Sequence, residues 1–162
     1  MRHIDYNRAM RSHVLSALVV PVLVIVGGAG VGCGAEPTTP PAKKVAAPPV
    51  FPKDALLSTL STSGALHIEV RTDPQPPAVG VTSVQYVVDD DQGAGVEHLD
   101  LTVVPWMPAM GHGASVKPTA TEIGGGVYRV DEVDLIMPGS WELRTHFTGA
   151  VTDDATPAFD VQ

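Results

Sequence analysis

The donors with the clearest chemistry lie in Trp106-Met107-Pro108-Ala109-Met110-Gly111-His112-Gly113. Two thioethers and one imidazole fall within six residues, Met107 to His112. Pro108 fixes φ, and Gly111 and Gly113 allow a tight reversal around the histidine. With Pro108-Ala109 at the centre of a turn, both sulfurs can face one centre, and Gly111 can bring His112 back toward them. A neutral sulfur, sulfur and nitrogen set suits a soft ion such as Cu(I) and has no claim on Mg²⁺, which prefers oxygen. The same residues also read as a surface loop whose methionines fill gaps beside Trp106, and spacing alone favours that packing role.

Other donors add little. Met137 is either a further sulfur for the same centre or the continuation of a buried face set by Val133 and Leu135. His67, His98 and His146 fall on polar strand faces, where histidines are ordinarily solvated. His98 and Asp100 share a face, but no nucleophile accompanies them. Asp89-Asp90-Asp91 lacks the spaced ligands of an EF-hand loop and reads as a solvated turn. With no paired nucleophile and base, an enzyme is not expected.

These residues must be held by a chain rich in turn formers: 162 residues, with 15 prolines and 16 glycines. Aromatics make up only 5 %, so the core leans on Val, Leu, Ile and Ala. The formal charge is −8, with no Lys/Arg stripe to neutralise phosphates, which argues against nucleic-acid binding. Length suggests one domain with appendages.

Arg2, Arg8 and Arg11 precede an apolar run from Val14 to Val26, and small residues follow to Gly32. That order describes a secretory signal over residues 1–32, with an uncleaved N-terminal anchor as the alternative. Gly30-Val31-Gly32-Cys33 resembles a bacterial lipobox, although Leu is usual where Gly30 stands. Lipidation explains a lone cysteine in an exported protein. The expected location is therefore the cell envelope, on the membrane through a lipid anchor. Residues 33–54, with Pro37, Pro40, Pro41, Pro48, Pro49 and Pro52, read as an extended, disordered tether. The domain is expected over residues 55–162.

Period-2 alternation places strands through Leu66, Ile68 and Val70; through Val84, Tyr86 and Val88; and through Leu99, Leu101 and Val103, ending at Val104 before the motif. Gly124-Gly125-Gly126 turns the chain into Val127 to Val130, and Val133 and Leu135 lead to Pro138-Gly139. Trp141, Leu143, Thr145 and Phe147 define the last clear strand, and a weaker one closes near Ala158 to Val161. About seven short strands without a persuasive helix predict an all-β sandwich.

In these segments the sequence resembles the YtkA-like domain family, related in pattern to FixH-type domains. The resemblance rests on Pro77-Ala78-Val79-Gly80, on Met107-Pro108-Ala109-Met110-Gly111-His112-Gly113, on Gly126-Val127-Tyr128, and on Met137-Pro138-Gly139-Ser140-Trp141-Glu142-Leu143. It covers roughly Leu66 to Phe147. It implies an immunoglobulin-like β-sandwich in an exported protein and a link to copper handling. No His-x-Met pair follows downstream as in periplasmic copper chaperones, so any site must come from Met107, Met110, His112 and Met137. Three functions follow as expectations. One is a lipoprotein that binds Cu(I) for handling or delivery to a copper protein. The second is an interaction domain whose rim loop contacts a membrane protein. The third, well behind, is a redox enzyme using bound copper.

Overall fold

A computed structural model describes residues 47–162. The signal segment, Cys33 and the tether as far as residue 46 lie outside the described residues. Ten strands, and no helix among the described residues, follow in order. They are β1 (Leu57–Leu60), β2 (His67–Asp73), β3 (Gly80–Asp89), β4 (Leu99–Met107), β5 (His112–Gly113), β6 (Thr119–Gly124), β7 (Val127–Leu135), β8 (Gly139–Gly149), β9 (Asp153–Ala155) and β10 (Ala158–Val161).

The strands form two antiparallel sheets. One has the order β1-β2-β3-β7-β6 and the other β10-β8-β4-β5, with β9 also on β8. Each long strand sends alternate side chains into one shared core. Ile68 and Val70 of β2, Val84, Tyr86 and Val88 of β3, and Trp141, Leu143 and Phe147 of β8 are all buried. Full burial of each such side chain is worth about 1.5–3 kcal/mol relative to exposure. The Tyr86 hydroxyl meets Thr145 Oγ1 at 2.9 Å, bridging β3 and β8 across the core. Burial pushes the Tyr86 phenol well above its ordinary pKa, against the smaller opposing effect of that hydrogen bond. The result is the β-sandwich that the alternation predicts.

The architecture is richer than seven strands. β1, β5, β6 and β9 are additions, each short or mostly exposed. β7 is one strand, although its inward phase changes between Val130 and Val133. Asp131 and Glu132 face Ser83 alone, and Glu132 has a positive φ of 63°. This bulge lets both halves of β7 bury their apolar residues. His98 precedes β4 at a φ of 62°, so it does not share a strand face with Asp100. Its backbone N–H donates instead to Glu122 Oε1 at 2.9 Å.

Ordered contacts also begin before residue 55. The Val50 N–H donates to Asp73 Oδ2 at 2.9 Å, Arg71 Nε to Lys53 O at 3.1 Å, and Gln75 Nε2 to Asp54 O at 3.1 Å. The last residues of the Pro-rich segment are thus tied to β2 and the turn after it rather than free to residue 54.

Candidate metal-binding hairpin

Strand β4 carries the motif into position. Leu99, Val103, Pro105 and Met107 are buried, while Asp100, Thr102 and Val104 face out. The strand runs three residues beyond the expected end at Val104, so Pro105, Trp106 and Met107 are strand rather than loop. Pro105 is tolerated because β5 pairs with β4 only at Trp106 and Met107, leaving the rest of that edge open.

At Met107 the chain reverses. The N–H of Met110 donates to Met107 O at 3.1 Å, closing a β-turn with Pro108 and Ala109 at its centre. The N–H of Gly111 also donates to Met107 O, at 3.0 Å. Gly111 takes a φ of 68°, the left-handed conformation that completes the reversal. His112 then pairs directly with Met107 across the β4–β5 hairpin. Directly opposed residues in an antiparallel pair project to the same face, with Cβ atoms about 4.5–5.5 Å apart. One sulfur donor and the imidazole are therefore neighbours on one side of the hairpin, with Met110 in the turn between them.

The donors differ sharply in surroundings. Met107 is 5 % exposed and belongs to the core, whereas Met110 is 54 % exposed. His112 is exposed, and its Nδ1 lies 3.3 Å from Gly113 O. An Nδ1–H tautomer donating there leaves Nε2 free to accept a metal. Met137 is partly buried and packs against the core. Its carbonyl accepts a hydrogen bond from Trp141 Nε1 at 3.0 Å, which fixes the turn into β8. A Cβ on Gly139 would stand only 2.6 Å from Met107 Cε, so the Met137-Pro138-Gly139 turn lies against the Met107 thioether. The fold thus gathers Met107, His112 and the Met137 turn at one rim, with Met110 exposed in the turn between Met107 and His112. Cys33 lies outside the described residues.

Two neighbours carry no clear sequence signal. Arg144 packs over the Trp106 ring, with its guanidinium carbon 4.3 Å from the centroid. The diagonal offset of Arg144 and Trp106 on β8 and β4, visible only once the register is known, produces that stack. Gly139 reads in sequence as a turn residue, and its role as the floor under Met107 appears only in the fold. Among the described residues no three His, Cys, Asp or Glu side chains converge as metal ligands. His146 pairs with Asp154 at 2.8 Å, and His98 stands 3.8 Å from Glu122.

Searches of curated proteins and of solved structures returned no significant match. A family model described as YtkA-like matches residues 61–146. That span begins after β1, includes the whole hairpin and reaches into β8, more than half of the chain. The two motif segments, Met107 to Gly113 and Met137 to Leu143, fall within it on one rim of a β-sandwich, and the chain belongs to the YtkA-like family.

Proposed function

We propose that the protein is an extracytoplasmic lipoprotein, anchored through Cys33, whose Met/His hairpin binds Cu(I) in copper handling or delivery. The observation that carries this reading is the pairing of Met107 with His112 across a turn that contains Met110. Two neutral thioethers and an imidazole with a free Nε2 form a soft donor set, and they fit Cu(I) better than an oxygen-seeking ion. Met137 is the alternative sulfur, and the turn that follows it, at Gly139, touches Met107. The proposal includes no catalytic step.

The burial of Met107 supports a second reading, in which its sulfur serves packing alone. The exposed Met110 and Val116 would then be a contact surface for a membrane-protein partner. A Cu(I) competition titration under reducing conditions separates the two. Wild type should bind copper, and Met110→Leu and His112→Ala should each bind it more weakly. Leu keeps the apolar volume of Met at a cost usually below about 1.5 kcal/mol, so loss of fold should not imitate loss of a ligand. Equal retention of copper by both variants, or none by wild type, favours the contact surface.

A further inference from the structure

Resting on the copper reading above, we propose that Met110 is a site of sulfur oxidation that converts the empty hairpin from a metal-binding to a weakly binding form. The hairpin presents two thioethers of the same chemical type in opposite surroundings. The Met107 side chain is 5 % exposed, and its Cε lies against the Cα of Gly139. Met110 is 54 % exposed at the turn, with its backbone N–H already held by Met107 O. Susceptibility of a thioether follows access, so an oxidant arriving from solvent meets Met110 first.

The oxidant is a peroxide. Its terminal oxygen is transferred to the Met110 sulfur, the O–O bond breaks, and an S–O bond forms. Sulfur loses two electrons; hydrogen peroxide gains them and leaves as water. The product presents a polar sulfoxide in place of a soft neutral sulfur, and Cu(I) prefers the latter. The turn has no need to unfold, because the closing hydrogen bonds at Met107 O come from backbone N–H groups. Oxidation therefore removes one donor and leaves Met107 and His112 in register. A thioether already bound to a soft ion has its lone pair engaged, so the loaded hairpin resists the oxidant.

The test treats the full chain with hydrogen peroxide, maps added oxygen by peptide mass analysis, and then measures Cu(I) affinity by competition. Ag(I), a soft ion without redox chemistry under these conditions, serves as the protecting probe. Oxygen should appear on Met110 well before Met107, and Ag(I) should slow that step. Oxidised wild type should bind Cu(I) more weakly by at least about the 10-fold cost of losing even a supporting residue of a metal site. The affinity of Met110→Leu should not respond to peroxide. Oxidation of Met107 at the same rate overturns the proposal, as does selective oxidation of Met110 with affinity unchanged. A protein that binds no Cu(I) before oxidation overturns the copper reading, and this proposal with it. The Cu(I) titration before oxidation distinguishes that failure from the other two.

Discussion

Met107 and Met110 are identical in chemistry and opposite in placement, and the difference comes from strand phase. Met107 is the last inward residue of β4, so it enters the core like Leu99 and Val103 before it. Met110 lies beyond the reversal and has no core to enter. His112 returns to the Met107 face because it is the first residue paired after the turn. A second consequence of residue placement sits at the far end of the sandwich. Asp153 is 7 % exposed and receives the Ser63 hydroxyl at 2.5 Å and the backbone N–H groups of Ser63 and Asp154 at 3.2 and 2.8 Å. Burial alone would raise its pKa, but hydrogen bonds from Ser61, Ser63 and Asp154 outweigh it and hold the carboxyl at about 2. Because folding lowers this pKa, the carboxylate contributes its full stability above the unfolded value of about 3.9. That contribution is lost as pH falls through about 2. Asp153→Asn should therefore cost about 1–3 kcal/mol near neutral pH, as expected for lost hydrogen bonds to a buried charge. Denaturant midpoints should show the gap between variant and wild type closing in acid. A gap independent of pH contradicts this account.

Among the elements, the β4–β5 hairpin and the Met137-to-Gly139 turn determine the geometry of the site, and two glycines separate their roles. Gly111 needs a positive φ but has open space where a Cβ would go. Gly111→Ala should cost about 1–2 kcal/mol, the penalty for a left-handed residue bearing a Cβ. Gly139 has a φ of 129°, and a Cβ there would press on Met107 Cε. Gly139→Ala should cost more than Gly111→Ala, since overpacking adds about 1–3 kcal/mol to the backbone strain. Thermal unfolding of both variants checks the ranking, and equal costs would mean that Met107 yields freely.

The same elements show what could be read in advance. Strands β2, β3 and β8 were legible because a fully buried inner face forces strict alternation. β6 was not, because most of its side chains are exposed and leave no apolar period. β7 could not be read as one strand, because its bulge shifts the phase. The turn at Pro108-Ala109 and the reversal at Gly111 were legible from turn chemistry, as was a packing role for the methionines, whereas which of the two is buried was not. Pro105 reads as a break, yet an open strand edge accommodates it.

At the scale of the whole molecule, a β-sandwich of the YtkA-like family carries Met107, His112 and the Met137 turn at one rim. The proposed anchor rests on sequence outside the described residues, so it needs its own measurement. Intact-mass analysis of membrane-extracted protein should find a chain starting at an acylated Cys33; two acyl chains suffice for stable anchoring, at about 0.8 kcal/mol per buried CH₂. A chain still starting at Met1 would favour an uncleaved N-terminal anchor. The proposed copper site admits a more direct test than any of these, because X-ray absorption at the copper edge reports which atoms surround the metal. The Cu(I)-loaded protein should show a mixed shell of thioether sulfur and imidazole nitrogen, and His112→Ala should remove the imidazole contribution. A shell of oxygen and nitrogen without sulfur, or one unchanged by His112→Ala, would contradict a Met/His copper site in this hairpin.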